Sequence, residues 1–459
     1  MSKNKKTINS QLSIINSLKP YPEYKDSWVE WIGEIPEHWE VLPIKRIVST
    51  PVTDGPHETP EILLDGIPFI SAEAIKNDRI DFSKKRGFIS IENHQRYSKK
   101  YKPVKGDLFL VKSGATTGNI AIVETDEEFN IWSPLAVIRS NPKKVITRFM
   151  FHFLKSKNFF QSIELGWNFG TQQNIGMGII ENLPAIIPPI KEQTKIAAYL
   201  DRKTAEIDEL IARKQRLLEL YEEEKTAIIN QAVTKGINPD VKMKDSGIEW
   251  LGEIPEHWDV LRLKYGGQFI NGYSFKSIDF AESGVRILKI SNIQHMRLDW
   301  TDSSFTSKKN YEKLSDFQVF RNDLVFALTR PIISTGIKAA MIDTDDNILI
   351  NQRNSIFRTS KIETNWIYYI LLCKQFLNKF YSLIDKTGQQ PNISSNDIGN
   401  IAVPIPNKKE QKDIVTHLQK ETTRINTKAQ KTKKLIELLK EYRTALISEV
   451  VTGKLIIDN

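Results

Sequence analysis

The sequence predicts an α+β protein in which two globular α/β-mixed domains are separated by two long antiparallel coiled-coil helices, related by a pseudo-two-fold internal repeat. Three observations predict this fold. One phrase of sequence occurs twice, two long segments have the apolar spacing of coiled-coil helices, and the segments between them contain short strand-like runs. The chain has 459 residues, which is enough for several domains that each bury a core.

The internal repeat is visible by direct alignment. The stretch KDSWVEWIGEIPEHWEVL at 25–42 matches KDSGIEWLGEIPEHWDVL at 244–261 at 14 of 18 positions without a gap. Two looser matches follow in the same order along the chain. They pair KGDLFLVKSGATTGNIAIV (105–123) with RNDLVFALTRPIISTGIKAAMI (321–342), and GTQQNIG (170–176) with TGQQPNIS (387–394). The sequence therefore indicates a duplicated plan.

Two helical segments close the two halves of the repeat. Prolines precede each segment, and Gly236 follows the first, which is the usual punctuation of a helix. Apolar residues then recur at alternating spacings of three and four, which predicts a coiled-coil seam. The predicted seam positions are Ile196, Leu200, Ile207, Leu210, Leu217, Tyr221 and Ile228 in the first helix, and Ile414, Leu418, Ile425, Leu435, Leu439, Tyr442 and Leu446 in the second.

A helix with so narrow an apolar stripe needs a partner, and the other copy is the simplest one. Each helix would be roughly 65 Å long at about 1.5 Å per residue. Two related halves favour a pseudo-two-fold and hence an antiparallel pair. The expected domain boundaries are a first globular domain at 1–187, a central helix at 188–236, a second globular domain at 237–405 and a C-terminal helix at 406–459.

The globular segments share a frame but differ in content. Both contain short β-branched and aromatic runs, such as GDLFLV and DLVFAL, broken by Gly, Pro, Asn and Asp. Each also contains a helical stretch, RFMFHFLKSKNFFQSI in one and NWIYYILLCKQFLNKFYSLI in the other. Two domains of one fold with divergent contents suggest that they recognise different things.

Composition sets the class of protein. The net charge of +9 and a pI near 9.1 permit a polyanionic partner such as nucleic acid, but do not require one. No run of about 18 apolar residues predicts a membrane span, and the basic N-terminus lacks the apolar region of a secretory signal. The single cysteine, Cys373, lies in an apolar run and is expected to be a buried inert thiol. We therefore expect a cytoplasmic protein with no membrane partner.

The repeated phrase GEIPEHW has two interpretations. Its tryptophans flank a proline, a composition suited to fixing the entry strand of a domain against its neighbour. Alternatively, the Glu-His dipeptides at 37–38 and 256–257 would bind a metal or act as an acid–base pair. Adjacent side chains in an extended chain point to opposite faces, so the dipeptide cannot chelate a metal alone. We favour the structural interpretation and expect no metal site.

The stretch SGATTGN and its counterpart TRPIISTG form the first candidate site. Neither fits the phosphate-binding pattern GxxxxGK[ST], so a nucleotide loop is not predicted. The hydroxyls, amides and cations of such a loop could contact DNA phosphates or base edges, while a tight turn without DNA contact explains the pattern equally well. The candidate DNA-binding residues are Lys112, Ser113, Thr116, Thr117 and Asn119 in the first half, and Arg330, Ser334 and Thr335 in the second.

Paired glutamines form the second candidate site. A glutamine amide can match an adenine edge, so DNA contact is one interpretation. Retention of the pair in both halves favours a shared role, such as capping or a phosphate contact. The residues are Gln172, Gln173, Gln389 and Gln390. No convincing set of nuclease carboxylates or methyltransferase motifs accompanies them, so we predict no catalytic residue in this chain.

The combined motifs resemble those of one known family, the specificity subunits of type I restriction–modification systems. The resemblance covers essentially the whole chain. It is carried by the repeated KDSxxEWxGEIPEHW opening, the KGDLFLVKSGATTGNIAIV stretch, the TQQNI and GQQPNI loops, the helix starts PPIKEQTKIAAYLD and PIPNKKEQKDIVTHL, and the ends QAVTKG and EVVTGK.

The resemblance implies a non-catalytic subunit whose two target-recognition domains each read one half of a split DNA target, with the helices setting the spacing. It further implies double-stranded DNA, methyltransferase subunits, two in number, and restriction or translocase subunits as partners. S-adenosylmethionine, ATP and Mg would act on those partners, and this chain would hold no cofactor. Two rival interpretations are a coiled-coil protein scaffold without DNA binding and a self-contained DNA enzyme.

Overall fold

The computed structural model describes residues 19–165 and 174–457 and confirms the α+β fold with two long helices. The central helix spans Ile190–Lys235 and the C-terminal helix spans Lys408–Val451. The chain divides into two compact units. Unit 1 comprises residues 1–214 and 434–459, and unit 2 comprises residues 215–433, so each unit contains one globular segment and a part of each long helix.

Unit 1 is built on two small sheets. The first has the order β10-β9-β12-β4 with antiparallel neighbours, and the second has the order β11-β5-β8. Its helices are Ile91–Ser98, Thr147–Leu154, Lys157–Leu165 and Met177–Asn182. Its strands are β1 (Tyr24–Asp26), β2 (Glu34–Pro36), β3 (Glu40–Pro43), β4 (Thr53–Asp54), β5 (Ile67–Ile70), β6 (Ile75–Lys76), β7 (Arg79–Ile80), β8 (Gly87–Ile89), β9 (Leu108–Val111), β10 (Ile120–Ile122), β11 (Asn130–Ile131), β12 (Leu135–Ile138) and β13 (Pro184–Ile187).

Unit 2 repeats this plan. Its first sheet has the order β17-β27-β22-β25, again antiparallel, and its second has the order β18-β20-β19-β26-β21. Its helices are Leu263–Gly266, Lys308–Lys313, Thr364–Ile370, Lys374–Ser382 and Ser395–Asn400. Its strands are β14 (Met243–Asp245), β15 (Glu253–Pro255), β16 (Asp259–Arg262), β17 (Gln268–Asn271), β18 (Phe280–Ala281), β19 (Val285–Leu288), β20 (Ser304–Thr306), β21 (Gln318–Val319), β22 (Leu324–Ala327), β23 (Ile332–Ile333), β24 (Gly336–Ile337), β25 (Ala339–Met341), β26 (Ile348–Ile350), β27 (Asn354–Arg358) and β28 (Ala402–Ile405).

The first sheets of the two units correspond strand by strand, and the three strands of the second sheet of unit 1 correspond to β26, β19 and β20, to which unit 2 adds β18 and β21. The central strands Leu108–Val111 and Leu324–Ala327 are buried along their whole length, because helices or a second sheet cover both of their faces. In each unit a strand of the second sheet pairs in parallel with a neighbour, β5 with β11 and β19 with β26. The duplicated sequence therefore folds into a duplicated topology.

Side chains of the repeated sequence GEIPEHW connect each globular segment to the first turn of the long helix that follows it. Trp39 is fully buried, and its indole Nε1 donates to Glu192 Oε2 at 3.0 Å. The Nε2 atom of His38 lies 2.7 Å from the other carboxylate oxygen of Glu192. The second copy repeats these contacts through His257, Trp258 and Glu410. A buried indole N–H needs an acceptor, which explains why the phrase and the distant glutamate occur together.

The glutamine that follows each of these glutamates has a matching role. The Oε1 atom of Gln193 accepts a hydrogen bond from the backbone N–H of Ile146, and its Nε2 atom donates to the carbonyl of Pro188. Gln411 makes the equivalent bonds to Glu363 and Pro406. Both glutamines are buried, so their amides satisfy backbone groups that water cannot reach.

The long helices run antiparallel within each unit. In unit 2, Arg424 contacts Glu224 at 2.6 Å, and one turn further along the C-terminal helix Lys428 lies over the ring of Tyr221, which precedes Glu224. In unit 1, Arg443 Nε lies 2.9 Å from Asp208 Oδ1. As residue numbers rise along the C-terminal helix, the residue numbers of their contacts on the central helix fall, so the two helices are antiparallel.

The apolar face of the helix pair is broader than the predicted stripe. Leu210, Leu217, Tyr221, Ile228, Leu435 and Tyr442 are half-buried, whereas the other eight predicted seam residues are buried: Ile196, Leu200, Ile207, Ile414, Leu418, Ile425, Leu439 and Leu446. Ile211 and Ile229, which the spacing did not select, are buried beside two of the half-buried positions. Ile229 belongs to the same cluster as Trp258 and Trp366, because this end of the helix also packs on the globular segment.

In unit 1 an ionic network joins the helix Thr147–Leu154 to the central helix. His152 Nε2 lies 2.7 Å from Asp201, which also accepts from Arg148 at 2.6 Å. Burial of His152 lowers its pKa, with Asp201 opposing the shift. Burial would raise the pKa of Asp201, but hydrogen bonds from His152 and Arg148 outweigh it and lower that pKa to about 2. The aligned position of His152 in unit 2 is Tyr369.

Acidification is expected to destabilise unit 1 through His152. The folded-state pKa lies below the unfolded value of about 6.5, so below that pH the unfolded chain binds a proton that the folded chain does not. The free energy of unfolding should fall by at most about 1.4 kcal/mol for each pH unit below 6.5. Urea unfolding at pH 7.5 and pH 5.5 measures this loss. His152→Tyr should reduce the difference, and an unchanged pH dependence in the variant would refute the assignment.

Candidate functional site

In each unit, four loops meet at one end of the first sheet. We call these sets loop cluster 1 and loop cluster 2. Loop cluster 1 consists of residues 55–57, 112–119, 132–134 and 174–175. Loop cluster 2 consists of residues 272–274, 328–336, 351–353 and 389–393. In loop cluster 2 the candidate residues lie in the loops 328–336 and 389–393, and in loop cluster 1 the described candidate residues lie in the loop 112–119.

Backbone hydrogen bonds hold loop cluster 2 together. The N–H of Arg330 donates to the carbonyl of Pro391 at 2.8 Å, which joins the two loops that the sequence analysis selected. The N–H of Ile393 donates to Leu328 O at 2.9 Å and joins the same two loops. The N–H of Leu328 donates to Arg353 O at 2.8 Å and links them to the turn 351–353, which the N–H of Gln352 links to residues 272–274 through Tyr273 O at 2.7 Å. The loops therefore form one surface of fixed backbone geometry.

Loop cluster 1 has the same pattern of bonds. The backbone of Lys112 donates to the carbonyl of Pro134 at 2.8 Å and accepts from the N–H of Ile175 at 2.8 Å. Ser113 and Asn174 form a β-bridge, and the N–H of Ser133 donates to Pro56. The two clusters thus occupy equivalent places in their units.

The candidate residues of unit 1 differ in their exposure. Thr116 and Asn119 are exposed and Ser113 is half-buried. Thr117 is buried, and its hydroxyl donates to the carbonyl of Gly114 at 2.7 Å, so that side chain supports the turn. Lys112 is only 8% exposed and lies against Asp54. Gln172 and Gln173 lie outside the described residues.

In unit 2, the candidate residues are mostly exposed. Arg330, Ser334, Thr335 and Gln389 are exposed, and Gln390 is half-buried. Ser334 and Thr335 form the tip of the hairpin made by β23 and β24. They also line a cavity of about 390 Å³ together with residues of the central helix, including Glu222 and Lys225. The hairpin tip therefore faces a helix as well as solvent, whereas Arg330 and Gln389 do not line this cavity.

One buried carboxylate organises the charge of loop cluster 1. Asp54 is 5% exposed and lies within ion-pair distance of three basic side chains. These are Lys100 at 2.6 Å, His57 at 3.1 Å and Lys112 at 3.4 Å. Two lysines against one aspartate leave this place with excess positive charge. The sequence analysis missed Asp54, His57 and Lys100, because folding brings them to Lys112 from distant parts of the chain without a local motif.

Loop cluster 2 holds different side chains at the equivalent positions. The strand alignment places Asn271 at the position of Asp54, Leu328 at that of Lys112 and Arg330 at that of Gly114. The turn between β26 and β27 adds Gln352 and Arg353, both exposed. The sequence analysis missed these two residues, although the polar run NQRN between two apolar strands was a signal that could have selected them.

The second cluster is also electropositive. Lys338, next to the hairpin, is buried, and its ammonium group donates to the carbonyl of Ile290 at 2.6 Å. Burial lowers the pKa of Lys338, and the charge of Arg330 lowers it further. Among the residues that the structure describes, no carboxylate lies in ion-pair distance of Lys338 or Arg330, so the field of these two cations attracts an anion.

A comparison with protein families assigns the chain. The model of the type I restriction modification DNA specificity domain matches residues 36–220 and again residues 255–438. The chain belongs to this family. The two matched ranges together cover most of the chain, and they correspond to the two copies of the internal repeat.

Relatives of known name agree with this assignment. The chain is 28% identical over 430 residues to the type I restriction enzyme MjaVIII specificity subunit of Methanocaldococcus jannaschii, covering 93% of this chain and 95% of the relative. It is 24% identical to the type I restriction enzyme EcoAI specificity subunit of Escherichia coli, covering 88% of this chain and 80% of the relative. The chain thus carries the DNA sequence-specificity function of a type I restriction–modification system.

Solved structures share the fold. A chain from a study of complex assembly and conformational transition in a type I restriction–modification system has a TM-score of 0.69 at 16% identity, covering 92% of this chain and 99% of that one. The HsdS subunit from Thermoanaerobacter tengcongensis has a TM-score of 0.55 at 16% identity, covering 92% of this chain and 98% of that one. Identities this low support the fold alone.

The family implies DNA and the methyltransferase and restriction subunits as partners. Within residues 19–165 and 174–457, no group of three or more His, Cys, Asp or Glu side chains is placed to hold a metal ion. Among the same residues, no helix combines the length and hydropathy that crossing a bilayer requires.

Proposed function

We propose that loop cluster 1 and loop cluster 2 each read one half of a bipartite DNA target. One observation carries this proposal: the two clusters occupy the same place in a duplicated frame and differ in their side chains. The pairs Asp54 and Asn271, Lys112 and Leu328, and Gly114 and Arg330 change charge or hydrogen-bonding capacity at positions whose backbone is equivalent. Different donors and acceptors on one frame would read different bases, and the target would be asymmetric.

The proposed domains follow from this assignment. Residues 1–187 and 237–405 form the two target-recognition domains, and the segments at 188–236 and 406–459 connect them. The long helices set the number of base pairs between the half-sites, in the way that other dimeric readers fix the distance between theirs. A continuous helix suits this role because its length is fixed at about 1.5 Å per residue.

Partner subunits would supply the chemistry. The chain itself is non-catalytic and acts in the cytoplasm, where it binds double-stranded DNA and recruits methyltransferase and restriction or translocase subunits. The duplication supports two methyltransferase subunits, since each unit repeats the same contact between GEIPEHW and a long helix. S-adenosylmethionine, ATP and Mg would bind to those partners.

Methylome sequencing tests the proposal. Cells would express the chain with its methyltransferase partner, and control cells would express the same methyltransferase without the chain. A split motif methylated on both strands only in the first cells is the expected result. An active methyltransferase with no motif that depends on the chain, together with a DNA titration that does not respond to salt, would instead support a scaffold that does not bind DNA.

Lengthening both helices gives a sharper result. Inserting seven helix-forming residues between positions 214 and 215, and seven between positions 433 and 434, preserves the apolar register and adds about 10 Å to each helix. The gap between half-sites should then grow by about three base pairs at about 3.4 Å each, while both half-sites stay the same. The methylome of cells with the lengthened chain measures this gap. An unchanged gap would refute the spacing role without affecting the assignment of the half-sites.

A further inference from the structure

Two arginines in loop cluster 2 adopt a backbone conformation that does not favour arginine. Arg330 has φ +49° and Arg353 has φ +67°, both in the left-handed region. An L-residue with a side chain is disfavoured there by roughly 1–2 kcal/mol, while glycine is tolerated. At the position aligned with Arg330, unit 1 has Gly114 with φ +101°. The repeated frame therefore accepts glycine at this place, and unit 2 carries an arginine there instead.

The guanidinium groups of these arginines are free among the described residues. Unit 2 contains nine arginines, and six of them form an ion pair with a carboxylate. Arg330 and Arg353 are two of the three that form none, and both are exposed. Their backbones, by contrast, are held by hydrogen bonds, Arg330 N–H to Pro391 O and Leu328 N–H to Arg353 O. Neither a fold contact nor an ion pair accounts for arginine at these two strained positions.

Strained backbone that holds an unpaired side chain is characteristic of a binding site. The fork of a guanidinium group matches two acceptors in one plane, which in DNA are the O6 and N7 atoms of guanine or two phosphate oxygens. Arg353 lies in the short turn between β26 and β27, next to Gln352, whose amide is oriented by a hydrogen bond from Ser274 at 2.8 Å. Arg330 precedes Pro331, whose carbonyl accepts a hydrogen bond from the backbone N–H of the buried Lys338 at 2.7 Å, and such a pair of cations suits a phosphate.

We propose that Arg353 reads a guanine in the half-site bound by unit 2, and that Arg330 holds the adjacent phosphate. This inference rests on the proposed function, because it requires loop cluster 2 to face DNA. It assigns a base to the second half-site and attributes the strain at both positions to DNA binding.

The test measures binding of the chain, in complex with its methyltransferase partner, to DNA in which each base pair of the methylated motif is varied in turn. Arg353→Lys keeps the charge but removes the fork. This variant should lose about 5-fold to 150-fold of discrimination at one G·C pair of a single half-site, with the other positions unchanged. Arg330→Ala should weaken binding to all sequences alike, and the slope of log affinity against log salt should become shallower by about one.

Glycine variants test whether the strained backbone at Arg330 and Arg353 serves DNA binding rather than folding. Arg330→Gly and Arg353→Gly should raise the thermal midpoint of unit 2 while they weaken DNA binding. Asn322→Gly is the matched control, because Asn322 also has a left-handed backbone, φ +70°, but lies outside loop cluster 2. It should leave DNA binding unchanged. Arg262→Ala, which removes the third unpaired arginine of unit 2, controls for loss of charge alone.

The outcomes distinguish this inference from the proposed function. A wild-type complex with no split motif would overturn both. A wild-type split motif that Arg353→Lys and Arg353→Gly leave unchanged at every base pair would overturn only the assignment of Arg353. A salt slope that Arg330→Ala does not change would overturn only the phosphate contact. Loss of thermal stability in both glycine variants would overturn the attribution of strain to binding.

Discussion

Replacing Leu418 by aspartate is expected to unfold unit 2. Leu418 is fully buried in the cluster that joins the C-terminal helix, the central helix and the globular segment. The substitution removes apolar contacts worth about 2–5 kcal/mol and places an unpaired carboxylate in an apolar site. The combined loss is comparable to the whole stability of a typical domain, about 5–15 kcal/mol. Circular dichroism and limited proteolysis of the purified chain measure the result.

A matched variant shows whether burial of the substituted leucine, rather than the introduction of aspartate itself, causes the unfolding. Leu220 lies in the same unit on the central helix, but it is 43% exposed. Leu220→Asp should therefore change the free energy of unfolding by less than about 0.5 kcal/mol. A cooperative thermal transition in Leu418→Asp that matches the wild-type transition would contradict the packing described for this cluster.

The helix pair shows how far a periodic pattern predicts packing. Spacings of three and four located both helices, because a 46-residue helix contains enough turns for the apolar stripe to stand out. The same pattern selected Leu210 and Ile228, which are half-buried, and passed over Ile211 and Ile229, which are buried. A stripe with strictly alternating spacings of three and four is expected only where a single partner helix covers the apolar face. Near its C-terminal end the helix also packs on a globular segment, which widens its buried face around Ile229.

The loop clusters show which functional residues a local sequence pattern can predict and which it cannot. Local signatures such as SGATTGN predicted functional loops, and those loops lie at one end of the sheet in each unit. Asp54 has no local signature, since its importance depends on strand pairing between distant segments, whereas the polar run NQRN around Arg353 is a local signal that was not used. The internal repeat makes such residues easier to find, because aligning the strands of the two units identifies equivalent positions. The contrast between Gly114 and Arg330 can be seen in the sequence, but it gains its meaning only once both backbones are left-handed.

The buried aspartates that open β9 and β22 are expected to be as important for stability as the apolar core. Asp107 is fully buried, receives two hydrogen bonds from Arg139 at 2.7 and 2.8 Å, and also accepts from the N–H of Val104 at 2.9 Å. The hydroxyl of Tyr101 donates to the same carboxylate, and burial, followed by the charge of Asp107, raises the pKa of that tyrosine. Unit 2 repeats the arrangement with Asp323 and Arg358.

Asp107→Ala should lower the free energy of unfolding of unit 1 by about 3–5 kcal/mol. The change leaves the Arg139 charge without its partner and the Val104 N–H without an acceptor. Removing one member of a partly buried ion pair is strongly destabilising, because the charge of the other member is then uncompensated. Asp323→Ala should destabilise unit 2 in the same way. Hydrogen exchange, which reports the two units separately, measures both effects.

Asp345→Ala is the control for charge removal. It breaks the ion pair with Arg321, whose distance of 2.7 Å is as short as the buried contacts, but the Asp345 side chain is 77% exposed. Solvent screens an exposed ion pair, so the loss of stability should be small. If Asp107→Ala were no more destabilising than Asp345→Ala, the contacts of the Asp107 carboxylate would not stabilise unit 1 as described, and DNA binding by the Asp107→Ala complex would be the next property to measure.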